Sequence, residues 1–212
     1  MPDSAMFALF LAAAVTLAIT PGPGILYVLA RSIKGGRREG YASAAGTMIG
    51  GLCHVVAAAL GISAVLAASA TAFAIVKYAG AAYLIYLGVR AITAKDERVI
   101  LDHAGARRET KKAFLQGITT ELLNPKTALF FLAFIPQFIN PQGAVVLEFI
   151  LLGSISVCLN TSVDLVVATL AGPLGQQLKR RARLRKAQRV FSGVTMIALG
   201  AYVAVVGEQQ GE

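Results

Sequence analysis

The chain has 212 residues, 56% of them hydrophobic and only 15% charged, with a mean hydropathy of +0.67. A soluble domain carries about 25% charged residues, so the deficit, together with long apolar runs, places the chain in the membrane class and excludes an ordinary soluble fold. The net charge of +9 is confined to loops, which argues against nucleic acid as a partner and for a lipid bilayer.

Six apolar segments are long enough to cross, near 5–30, 41–68, 72–93, 114–139, 144–171 and 190–207. A crossing helix needs about 20 residues at 1.5 Å each, and the last segment is short by that measure. The start, "MPDS", lacks the positive region of a signal peptide, so the first run is expected to remain as a span.

Span 1 contains "AITPGPGILY", with Pro21, Gly22, Pro23 and Gly24 in a row. Thr20 is a good N-cap residue and Pro is favoured in the first helical turn, so Thr20-Pro21 predicts the start of a half-helix inside the membrane. Pro21 leaves the carbonyl of Leu17 without its intrahelical donor, and Pro23 does the same to Ile19. Gly22 and Gly24 allow close approach of other groups.

Span 2 carries Gly46, Gly50 and His54 at four-residue steps. The glycines predict close helix packing; His54 reads either as a packing residue or as a proton relay. Span 3 ends in "AGAAYLIYLG".

Span 4 contains "LLNPKTALFF". Asn124-Pro125 repeats the cap-and-proline signal, and Pro125 frees the carbonyl of Glu121. Lys126 falls mid-span, where an insertion cost of about 2.5–3.5 kcal/mol demands a partner or a wet cavity. Glu121 and Lys126 would lie about 140° apart on a straight helix, so Lys126 is expected to meet cargo or another span. Span 5 has a polar stripe, Gly153, Ser156, Asn160 and Asp164, on one helical face. Asp164 is a candidate partner for Lys126 or for a proton.

The basic residues alternate between loops. Four follow span 1, seven follow span 3 and seven follow span 5, accounting for 18 of the 20 Lys and Arg; Lys77 and Lys126 are the others. The positive-inside rule puts these loops in the cytoplasm and both termini outside. Residues 94–113 read as a cytoplasmic connector between two repeats, 1–93 and 114–212. The repeats match weakly: Thr20-Pro21 with Asn124-Pro125, and "AGAAYLIYLG" with "SGVTMIALG". A unit of three spans is odd, so its second copy is inverted, and broken helices at matching places point to a transporter's midplane binding site. The expected fold is all-α and integral to the membrane: one domain of six transmembrane helices in two inverted three-helix repeats, helices 1 and 4 broken.

Cys53 and Cys158 fall inside apolar runs and are expected to be packed small residues rather than a disulfide. No zinc spacing, P-loop, dinucleotide fingerprint or nucleophile–base pairing is legible, so neither an enzyme nor a cofactor is expected.

"ITPGPG" in span 1, "NPK" in span 4 and "AGAAYLIYLG" in span 3 together resemble the lysine exporter / threonine–homoserine resistance (LysE/RhtB) family, over nearly the whole chain. The resemblance implies a bacterial inner-membrane exporter of amino acids and related small metabolites, driven by the proton motive force. It implies that Pro21, Gly22, Pro23 and Gly24 match one family motif and Asn124, Pro125 and Lys126 the other.

The expected site is a midplane pocket for a small zwitterion. The helix starts after Thr20 and Asn124, with Lys126, would hold a carboxylate. Glu121, Asp164 or both would take the ammonium or the coupling proton, with Asn160 on the same polar face. A passive channel is the alternative, because two opposed half-helix starts at mid-membrane also describe a solute pore. Glycine-rich faces permit a homo-oligomer.

Overall fold

The computed structural model describes residues 4–68, 70–93, 109–180 and 182–206, without the side chains of 62–70, 73, 172–185, 188 and 206. Most of the expected connector, 94–108, lies outside the described residues. Among the described residues every regular element is helical: α1 (Ser4–Ile19), α2 (Pro23–Ala68), α3 (Ala70–Thr93), α4 (Thr110–Leu122), α5 (Pro125–Leu129), α6 (Val145–Arg180) and α7 (Ala182–Val206).

Both proline-bearing stretches break their helices, and each break has its own form. α1 stops at Ile19 and α2 begins at Pro23, not at Pro21. The Thr20 hydroxyl donates back to the Thr16 carbonyl at 2.6 Å, so Thr20 closes α1 rather than capping α2. In the second break, Asn124 does cap α5, its Oδ1 accepting from the Lys126 backbone N–H at 3.2 Å. α5 then loosens into a π turn over Phe130–Phe134 and tightens into a 3-10 turn over Ile135–Phe138, where Pro136 removes another donor. The axis bends by 45° between Thr110–Leu122 and Pro125–Phe138.

The chain turns where the loop after span 1 is expected. α2 is two helical segments that meet at a kink within "RSIKGGRREG", at Gly36, whose φ of 76° lies in the left-handed region that glycine tolerates. Arg31 pairs with Glu39 and Ser32 lies against Gly40 across the kink, so the two segments fold back on each other. After span 5, by contrast, α6 extends to Arg180 and α7 starts at Ala182, because the Lys, Arg, Gln and Leu residues between the apolar segments are good helix formers.

Among the described residues three stretches are long and apolar enough to cross a membrane, Pro23–Gly61, Ala74–Thr93 and Val145–Ala171, and the bent pair α4–α5 makes a fourth if it is one span. Ser4–Ile19 and Arg189–Val205 are apolar but shorter.

The glycines show how these helices lie. Gly46 and Gly50 of α2 pack on Gly117 and Glu121 of α4, so the two helices run parallel. A Cβ at Gly117 would come 2.6 Å from the Ser43 carbonyl oxygen, a separation only glycine permits. Gly51 meets Val157 and Gly153 meets Val55, so α2 and α6 are antiparallel. Gly88 meets Gly193, and Gly200 meets the Ala81 carbonyl, making α3 and α7 antiparallel too. Cys53 and Cys158 are exposed free thiols on outer helix faces, not the packed residues expected.

Candidate functional site

The two breaks meet, and the prolines dictate what fills the meeting place. Each proline deprives the carbonyl four residues earlier of a helical donor, and a buried carbonyl without a partner is costly. At the first break the Leu17 carbonyl accepts from the Thr20 N–H at 3.1 Å and from Lys126 Nζ at 2.8 Å. Lys126 Nζ also donates to the Thr20 carbonyl at 2.6 Å. At the second break the Glu121 carbonyl accepts from the Asn124 N–H at 3.0 Å and faces His54 Nε2 at 3.0 Å. The Pro21 carbonyl accepts from the Ser192 hydroxyl of α7 at 3.0 Å.

Lys126, 5% exposed, thus sits against the negative end of α1, where helix dipole and free carbonyls favour a cation. Its stem packs over Gly22, where a Cβ would lie 3.1 Å from Lys126 Cδ. Glu121 is 2% exposed. Its carboxylate accepts from Thr127 Oγ1 at 2.6 Å and from Asn124 Nδ2 at 3.1 Å. It lies against Gly24, where a Cβ would stand 2.7 Å from Glu121 Oε2. The two glycines of "PGPG" are therefore the floor on which the two buried charged side chains rest.

Beside them lies a cavity of about 30 Å³, room for about two waters. Its wall carries Thr47, Glu121, Lys126, Thr127, Ser156, Asn160 and Thr161 among apolar side chains. Ser156 and Asn160 come from the α6 stripe, which therefore faces the cavity. Asp164 is one turn further along α6, fully buried, and accepts from the Thr47 hydroxyl at 2.8 Å. Its other oxygen, Oδ1, has no hydrogen-bond partner among the described residues. Thr47, on the cavity wall, thus links Asp164 to the cavity.

Of the residues singled out from sequence, Gly22, Gly24, Glu121, Asn124, Lys126 and Asn160 come together here, with Thr20, Pro21 and Pro125 shaping the backbone and Asp164 behind Thr47. Pro23 opens α2 without touching the cavity. Sequence reasoning missed Thr47, Thr127 and Ser192. Thr47 sits beside Gly46 and Thr127 follows "NPK", but a lone hydroxyl in a helix is too common to signal anything by itself.

Different chemistry joins the helices on either flank of the site. Toward the basic segments, Arg31 pairs with Glu39 at 3.5 Å, and Glu39 Oε1 accepts the Glu109 backbone N–H at 2.9 Å. Tyr27 OH donates to the Ala113 carbonyl at 2.7 Å, and Arg37 Nε to the Thr169 carbonyl at 3.2 Å. These contacts tie α2, α4 and α6. On the other flank, Phe10, Phe134, Phe138 and Tyr202 form a chain of ring contacts at 4.9–6.2 Å.

Comparison with known proteins adds a separate line. The model of the "LysE type translocator" family matches residues 15–207. A homoserine/homoserine lactone efflux protein of Salmonella typhimurium is 32% identical over 196 residues, covering 92% of this chain and 94% of its own. An uncharacterized membrane protein of Vibrio cholerae is 30% identical over 189 residues, 88% of this chain and 91% of its own. A leucine efflux protein of an Enterobacter species is 32% identical over 131 residues, 62% of each chain. No solved structure matches the chain significantly.

Proposed function

Because this chain belongs to the LysE type translocator family and is a multi-pass membrane transporter, we propose that it exports amino acids or closely related small zwitterions, coupled to the proton motive force across a bacterial inner membrane. The observation that carries this reading is the cavity at the junction of two proline breaks, where buried Lys126 and Glu121 offer both charges a zwitterion needs. The efflux proteins it resembles, named for homoserine, homoserine lactone and leucine, support the same cargo class.

The cargo carboxylate pairs with Lys126 and the helix start at Asn124; the ammonium pairs with Glu121, beside Thr127 and Asn160. Lys126 then exchanges its carbonyl partners on α1 for cargo, and the cavity widens from about two waters to amino-acid size. Asp164, linked to the cavity by Thr47, or Glu121 carries the coupling proton.

The architecture proposed is six spans in two inverted repeats, both termini outside. The parallel α2–α4 and antiparallel α2–α6 and α3–α7 directions fit that alternation. The match between Leu17 and Glu121, each accepting the N–H of the residue just before the proline of its break, supports the repeat. The contacts on the two flanks then act alternately as gates, with rocking of one triplet against the other.

The test is uptake of labelled homoserine and leucine into proteoliposomes with an imposed pH gradient. Uphill accumulation that collapses with a protonophore is the expected result. Equilibration without accumulation indicates a passive channel instead.

A further inference from the structure

We propose that His54 is a positioning residue: it holds the carbonyl that Pro125 orphans, as Lys126 holds the one that Pro21 orphans, and so interlocks the two halves of the chain. The inference rests on the transport reading for its functional arm only.

The geometry is reciprocal. Lys126 reaches from the second half of the chain to the Leu17 carbonyl in the first, and His54 reaches from the first half to the Glu121 carbonyl in the second. Both carbonyls precede a proline by four residues, and both take a backbone N–H from three residues on as their other donor. A carbonyl oxygen only accepts, so at 3.0 Å the proton lies on His54 Nε2. The bond needs that N–H but no positive charge. It anchors the last turn of α4, whose final residues present the Glu121 carboxylate to Asn124, Thr127 and the cavity.

His54 itself is set back from the cavity. It is absent from the cavity wall, whereas Phe131 is part of it. The Phe131 ring lies parallel to the imidazole, with centroids 6.2 Å apart and planes 8° from coplanar. His54 therefore acts through Glu121 rather than on cargo, and the titratable groups nearest the cavity remain Glu121 on α4, Lys126 on α5 and Asp164 on α6.

Glutamine places its amide nitrogen as many bonds from the backbone as Nε2 is in histidine, donates a proton and does not titrate. In proteoliposomes, His54→Gln is expected to keep gradient-driven uptake of labelled homoserine or leucine within about threefold, with an unchanged pH profile. His54→Leu is expected to lose about tenfold or more in turnover. Loss of uphill uptake in His54→Gln with retained exchange would assign the coupling proton to His54 and overturn the proposal. Retained turnover in His54→Leu would also overturn it.

A second measurement does not depend on transport. The chain has two histidines, His54 and His103, so a His103→Gln background leaves one imidazole for nitrogen-15 NMR. A protonated Nε2 throughout about pH 6 to 8 is expected. A bare Nε2 in that range overturns the proposal even if uptake behaves as predicted. If the wild type moves neither solute, the transport reading fails and this spectrum alone decides the role of His54.

Discussion

The ammonium of Lys126 lies 2.8 Å from the carbonyl oxygen of Leu17, a residue 109 positions earlier in the chain. The same nitrogen also holds the Thr20 carbonyl. A charge that would be prohibitive in hydrocarbon is placed where proline has left acceptors without donors. The lysine's burial and the proline break are two sides of one arrangement.

Replacement of Lys126 by Met keeps the stem over Gly22 and removes the donor. Two buried carbonyls then lose a partner, at about 1–3 kcal/mol each. Lys126→Met is expected to lower thermal stability in detergent and to abolish uptake in proteoliposomes. A variant with wild-type melting and wild-type uptake would remove Lys126 from the site.

Gly24→Ala probes the floor under Glu121. The new methyl would meet Glu121 Oε2 at 2.7 Å, so the carboxylate must turn away from Asn124 or Thr127. Uptake is expected to fall about tenfold, mostly through a raised KM, while expression and melting stay close to wild type. An unchanged KM would mean that the carboxylate position is irrelevant to cargo.

Asp164→Asn separates charge from hydrogen bonding. The amide oxygen still accepts from Thr47, so the fold should persist, while the group no longer releases a proton. If Asp164 carries the coupling proton, uphill uptake is lost and solute exchange between the two sides persists. Comparing the two assays on one preparation decides it; retention of both points to Glu121, and equal loss of both shows that Asp164 serves solute movement rather than coupling.

Glu39 ties the α2 bend to the first turn of α4. Glu39→Ala leaves Arg31, 12% exposed, without its carboxylate; breaking such a pair by removing one partner costs about 3–5 kcal/mol. Arg31→Met alongside Glu39→Ala is expected to recover most of that loss, because the stranded charge is gone. Thermal unfolding of the single and double variants gives the comparison. Equal melting of the single variant and wild type would show that the pair does not hold these helices.

Much of this protein is decided locally, and so was legible in its sequence. Helix existence follows from apolar runs, the breaks follow from proline's missing N–H, and the stripe Ser156–Asn160–Asp164 follows from helical periodicity. Gly46 and Gly50 announced a close packing partner without saying which. The family motifs are local strings for the same reason. Side-chain partners could not be read this way, because they depend on which helices become neighbours. Thr20 turns back to Thr16 instead of capping α2; Thr47 and Thr127 acquire roles only because Asp164 and Glu121 are brought beside them; His54 meets the Glu121 carbonyl across 67 positions. Helix boundaries at "KRRARLRKAQR" went beyond the apolar segments, since charge ends a span but not a helix, whereas Gly36 within "KGGRRE" does break the helix where the span ends. Sequence alone determined where the backbone must lose hydrogen bonds. The tertiary structure decided which distant groups restore them, and with that where the charged cavity lies.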